Sequence, residues 1–210
     1  MLNSTEAPLK VSREAILEQA ASLFGSEGYR KTRLEDVAAQ FDISRAALYY
    51  YFKNKQEILF HIHLRAIRGL LDGAEAILGS NDAADIRMER ILTHHVIYVA
   101  RNATYIGIFH EEEVELSPEQ RSEVNVMRRE YSERLIALYA AGVQAGCFRD
   151  VKPKLAIFTL LGACNWVHRW FDGRGPLTPE TIGALCVQLL SHGYTVAPGQ
   201  LKLRPKRKMP

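Results

Sequence analysis

Cysteine is scarce in this chain: Cys147, Cys164 and Cys186 are odd in number and far apart. Such a set builds no disulfide framework and suits a reducing cytoplasm. Long apolar runs are missing too. The longest, residues 156–167, contains Asn165 and falls short of the roughly 20 residues that cross a bilayer. The opening MLNSTEAPLK has no apolar stretch of the kind that secretory signals carry. No membrane is expected as a partner, and a cytoplasmic location is. Charge of one sign is lacking as well: the net is +3, and residues 1–55 hold 8 basic against 7 acidic side chains. A nucleic-acid partner therefore has to be argued from where charges sit.

Also absent are GxxxxGKS or GxxxxGKT, GxGxxG, CxxC and GxSxG, so neither nucleotide chemistry nor an acyl-transfer elbow is suggested. The nearest approach to a catalytic or metal cluster is His94, His95 and His110 with Glu111, Glu112 and Glu113. Adjacent histidines on a helix diverge by about 100°, and the simpler reading is a core histidine beside a solvated acidic turn. His61 and His63, two apart, share no helix face and read as ordinary polar positions. No enzyme, cofactor or metal is expected.

What is present centres on residues 30–57, RKTRLEDVAAQFDISRAALYYYFKNKQE. Thr32 followed by Glu35 has the spacing of a capping box, predicting a helix from Arg33. Leu34, Val37, Ala38 and Phe41 give that helix one apolar stripe. Asp42 stands where it must stop and tolerates a left-handed turn; Ser44 caps the next helix. There Leu48, Tyr51 and Phe52 project to one side, while Arg45, Ala46, Tyr49, Tyr50 and Lys53 fall on the other. Cations, phenols and a small residue on one face suit a helix laid in a major groove. The pair of helices is a helix-turn-helix.

Together with the preceding helix, ending LFGSEGYRKT, the stretches LEDVAAQFDIS and RAALYYYFKNKQEIL resemble the DNA-binding domain of the tetracycline-repressor (TetR) family of bacterial regulators, over roughly residues 11–60. The resemblance implies a three-helix DNA-binding head, an all-helical ligand-binding and dimerisation body, and repression relieved by a small molecule. Where that family usually has glycine this chain has Asp42. The expected division is residues 1–54 for the head, 55–196 for an antiparallel helical body and 197–210 for a disordered basic tail. Arg45, Tyr49 and Tyr50 are expected in the groove beside Ala46, with Thr32, Lys53 and Lys55 on phosphates and Arg33 and Ser44 also at the DNA.

Along the rest of the chain, Ser12 starts a first helix carrying Ile16, Leu17, Ala20, Leu23 and Phe24, and Gly28 ends it. Asn54 with Glu57 caps a long helix to Gly79. A body helix then carries Met88, Ile91, Leu92, His95 and Val99. A shorter segment spans residues 104–113, and Ser117, Pro118 and Gln120 open another long helix. Residues 153–171 read as one helix apolar over most of its circumference. The last helix shows a seam of Ile182, Leu185, Cys186, Leu189 and Leu190. Two such helices suit a four-helix interface in a symmetric homodimer, and Cys164 and Cys186 read as buried small hydrophobes within it.

Aromatic and polar groups gather on the body helices: His95, Tyr98, Tyr105, Phe109, Met127, Tyr131, Asn165, Trp166, Arg169 and, in the next loop, Arg174. They suggest an apolar pocket with polar anchors. ACNWVHRWFDGRGPLTPE is similar to the corresponding stretch of TetR-type regulators of lipid, steroid and aromatic-acid catabolism. That likeness implies an acyl-coenzyme A effector whose phosphates meet Arg169 and Arg174. The expectation is an all-α, homodimeric regulator of double-stranded DNA, a repressor released by an effector. A helical carrier or enzyme with a structural helix-turn-helix, and an activator with the same head, stay open.

Overall fold

A computed structural model of the chain describes residues 11–194; the basic tail, residues 197–210, lies outside them. Among the described residues there are helices and one short 3-10 turn, and no strand.

The first three helices are α1 (Arg13–Glu27), α2 (Leu34–Ala39) and α3 (Arg45–Tyr51). Ser12 Oγ accepts the Ala15 N–H at 3.0 Å to open α1, and Gly28 closes it with φ 91°. The start of α2 differs from the expected capping box. Arg33, not Thr32, is the cap residue, and its N–H donates to Asp36 Oδ2 at 2.7 Å. Thr32 is instead buried, its hydroxyl donating to Gly28 O at 3.0 Å. The Thr32 N–H donates to the same Gly28 O at 3.2 Å, so both donors of this residue are held at the end of α1 and its hydroxyl is turned away from α2. Asp42 turns the chain at φ 52°, and Ser44 Oγ accepts the Ala47 N–H at 3.1 Å. Ile16, Ala20, Phe24, Val37, Leu48 and Phe52 make the small core of this unit.

Asn54 Oδ1 accepts the Glu57 N–H at 2.7 Å and starts α4 (Lys55–Leu78), whose 24 residues extend about 36 Å. It crosses α5 (Ala84–Arg101) at two glycines: Tyr98 of α5 seats on Gly69 and His94 on Gly73, so closely that neither position has room for a Cβ. His63, expected to be an ordinary polar position, is fully buried on α4. Its Nδ1 lies 2.9 Å from Leu59 O and its ring is against Phe109.

Beyond α6 (Ala103–Glu111) comes the 3-10 turn Glu113–Glu115, then α7 (Pro118–Gln144), opened by reciprocal bonds between Ser117 and Gln120. The single helix expected over 153–171 is broken in two, α8 (Pro153–Asn165) and α9 (Val167–Trp170). At the break the Arg169 N–H reaches only to Trp166 O, at 3.0 Å, and His168 Nδ1 takes Asn165 O at 2.6 Å. The tighter turn coincides with Asn165 directing its side chain into the body, toward His95.

The last helix is α10 (Pro179–Tyr194), packed along α5 with Gly183 on Thr93 and Ile97. Its expected single seam is divided. Ile182, Val187 and the half-buried Cys186 and Leu190 face inward, whereas Leu185 and Leu189 are exposed, Leu189 by 78 %. Cys164 is buried, as a small hydrophobe would be.

Candidate functional site

The outward face of α3 presents Arg45, Ala46, Tyr49 and Tyr50, followed by Lys53, all exposed. Tyr50 stands 81 % accessible, an unusual position for a large aromatic. Arg45 is oriented by its neighbours: one guanidinium nitrogen donates to the Tyr49 hydroxyl at 2.8 Å and another pairs with Glu35 at 2.6 Å. Arg33 and Ser44 are exposed at the starts of α2 and α3. Two expected members leave the set. Thr32 is buried. Lys55 donates to Tyr29 O at 2.8 Å and Thr32 O at 3.0 Å and lies 4.2 Å over the Tyr29 ring; burial lowers its pKa. An ammonium has three donors, and those of Lys55 hold the α1–α2 loop to α4.

The body encloses a cavity of about 760 Å³. One wall is apolar, from Ile67, Leu70, Ile106, Phe109, Ile136, Phe158 and Leu161; the other carries His95, Tyr131, Ser132 and Asn165. His95 joins three helices, with Nδ1 2.9 Å from the Tyr131 hydroxyl and Nε2 2.9 Å from Asn165 Oδ1. Because an amide oxygen only accepts, Nε2 carries the proton and Tyr131 donates to Nδ1. Burial pushes His95 down to about 4, against a smaller upward effect of the Asn165 bond, and pushes the Tyr131 phenol up. The imidazole is thus neutral. Exposed Arg128, Arg129 and Lys154 stand at the cavity rim with His110 and one acid, Glu133.

Of the ten residues expected to bind ligand, His95, Phe109, Tyr131 and Asn165 line this cavity. Tyr98, Tyr105, Met127, Trp166, Arg169 and Arg174 do not. Tyr98 donates to Arg65 O at 2.9 Å, Tyr105 lies under the Arg65 guanidinium, and Met127 is half-buried against the core. Trp166 is 61 % exposed on the outside of the bundle. Arg169 pairs with Glu111, and Arg174 with Asp172 at 2.9 Å. The rim cations Arg128, Arg129 and Lys154 were missed. Arg128, Ser132 and Ile136 recur at helical spacing on α7 beside Tyr131, and that polar-to-apolar face was the available signal.

Residues 16–62 match the bacterial regulatory proteins of the tetR family, and residues 81–194 match the tetracyclin repressor-like C-terminal domain. The chain belongs to the TetR family. Among TetR-family relatives, the HTH-type transcriptional repressor KstR2 of Rhodococcus jostii (strain RHA1) is 27 % identical over 188 residues, 86 % of this chain and 90 % of that one. The TetR-family regulator PfmR from Thermus thermophilus is 34 % identical, with a TM-score of 0.79 over 84 % of this chain and 97 % of that one. AibR, solved in complex with isovaleryl coenzyme A and operator DNA, is 27 % identical, with a TM-score of 0.76 over 84 % and 96 %. TetR-family membership makes this chain a DNA-binding transcriptional regulator rather than an enzyme. Among the described residues no helix is long and apolar enough to cross a membrane.

Proposed function

We propose that this TetR-family chain is a homodimeric transcriptional repressor that docks α3 in the major groove of an operator and is released by a coenzyme A thioester held in the body cavity. The carrying observation is the pairing of an exposed Arg45–Tyr49–Tyr50 face with a cavity that is apolar inside and cationic at its rim. Arg45, with Tyr49 and Tyr50, reads base edges; Arg33, Ser44 and Lys53 position the head on phosphates. The acyl group lies along Ile67, Leu70 and Ile106, and the phosphates meet Arg128, Arg129 and Lys154 by charge-assisted bonds, in place of Arg169 and Arg174. Likeness to AibR supports a thioester, and likeness to KstR2 supports repression. The exposed Trp166, Leu185 and Leu189 supply the face that pairs two copies. Residues 1–54 act as the head and 55–196 as the body.

Selection of bound duplexes from a random DNA pool, followed by displacement with a panel of acyl thioesters, tests this reading. An enriched two-fold-symmetric site with half-sites one helical turn apart, displaced by thioesters but not by free acids, is expected. Failure to enrich any site, or displacement by free acids alone, overturns it.

A further inference from the structure

One cation at the cavity rim is tied, bond by bond, to the DNA-binding head. Arg128 of α7 reaches the two carboxylate oxygens of Glu113 at 2.9 and 3.2 Å. Glu113 is the first residue of the 3-10 turn, and Arg121 holds the same turn through Val114 O at 3.1 Å and Leu116 O at 3.2 Å. Two residues on, Glu115 grips the head. Its carboxylate takes Arg30, between α1 and α2, at 2.7 and 2.6 Å, and its backbone oxygen accepts Gln56, in the first turn of α4, at 2.7 Å. Lys55 fastens that same loop through Tyr29 O and Thr32 O. Three residues of turn therefore join the cavity rim to the base of α2.

We propose that Arg128 senses the effector: a phosphate or similar anion at the rim competes with Glu113 for its guanidinium, and the freed turn loosens the Glu115 clamp on Arg30 and Gln56. This rests on the repressor reading given above and adds how the cavity speaks to the head. A guanidinium fork holds a carboxylate or a phosphate alike through two parallel N–H···O bonds. The Arg128–Glu113 pair is partly exposed, side chains 45 % and 27 % accessible, and partly exposed pairs are weak enough to be exchanged. Coupling of this kind is reciprocal: the factor by which the anion lowers operator affinity, typically about 5- to 150-fold, is the factor by which bound operator lowers affinity for the anion.

The test compares wild type with Glu113→Gln, and with Glu75→Gln as a control that removes an ion pair between α4 and Arg134 of α7 away from the turn. Amide hydrogen exchange is read at residues 29–34 and 55–58, and binding of coenzyme A and of isovaleryl coenzyme A by calorimetry. Expected are several-fold faster exchange at those head amides in Glu113→Gln and tighter coenzyme A binding, with Glu75→Gln matching wild type in both. Unchanged head exchange, or weaker coenzyme A binding, in Glu113→Gln overturns the proposal. A thioester that releases DNA equally from wild type and Glu113→Gln also overturns it, while leaving the repressor reading intact. Wild type that binds no operator ends the repressor reading, and the exchange result still judges the clamp.

Discussion

Two surfaces of this molecule leave aromatic rings in water, and they differ in what frames them. On α3, Tyr49 and Tyr50 are set among Arg45 and Lys53, with Arg33 nearby. On α8 to α10, Trp166 and Trp170 are exposed, as are Leu155, Leu185 and Leu189. Rings framed by cations meet a polyanion, because the phosphate contacts supply affinity while the rings and the arginine explore base edges. Rings framed by aliphatic side chains gain only by excluding water against a like surface. Exposure alone identifies neither partner; the chemistry at the edge of the patch does.

The comparison breaks most visibly if charge is moved onto the aliphatic face. Trp166→Glu with Leu189→Arg should raise the dimer dissociation constant by roughly 100-fold or more, since a few central anchors carry an interface; sedimentation velocity reads it, and operator affinity should fall with it. A monodisperse dimer in that variant would remove the face from the interface.

Acid separates the two regions next. All seven histidines lie at or after position 61, so the three N-terminal helices have none. An unfolded chain protonates a histidine near pH 6.5, whereas burial keeps His95 neutral down to about 4. The unfolded state therefore binds the extra proton across that window. Stability is fully present above about pH 6.5 and is lost as pH falls toward 4, by an amount on the order of 2–3 kcal/mol from this one residue. Amide exchange should show α5 and α7 loosening before α2 and α3, and His95→Gln should flatten the acid limb.

On the cation-framed face, Arg45→Ala should lower operator affinity roughly 10-fold or more and relax base preference at one position, with the melting temperature unchanged. Equal affinity and preference would mean that α3 docks differently. The smallest effect distinguishes two lysines two residues apart. Lys53→Ala should reduce the slope of log affinity against log salt by about one, whereas Lys55→Ala should leave that slope alone and cost about 1–3 kcal/mol of stability, the penalty of stripping partners from buried carbonyls.

Caps made much of this fold legible in the sequence. Ser12, Ser44, Asn54 and Ser117 each accept the expected amide, because capping is decided within four residues. The exception is instructive: Thr32 and Arg33 offer overlapping three-residue spacings to Glu35 and Asp36, and the carbonyl of Gly28, just past α1 and outside that pattern, took the Thr32 hydroxyl. The α3 face was read on its correct side, since Leu48 and Phe52 allow one inward direction only. The cavity was read less well. Residues 153–171 are apolar nearly all round, so periodicity has no phase to say whether Trp166 and Arg169 or Asn165 and Leu161 turn inward, and the break at Trp166 shifts the phase again. His95, Phe109 and Tyr131 were found because each sits on a helix with one buried face.

The two bare patches of α4 have a consequence for how that helix can move. Tyr98 and His94 sit in them like two teeth in matching notches, one turn apart. A small rotation of α4 would drive both rings against its backbone at once, so α4 and α5 turn together rather than past one another. A Cβ added by Gly69→Ala would meet the Tyr98 ring, so α4 and α5 would have to part where they cross.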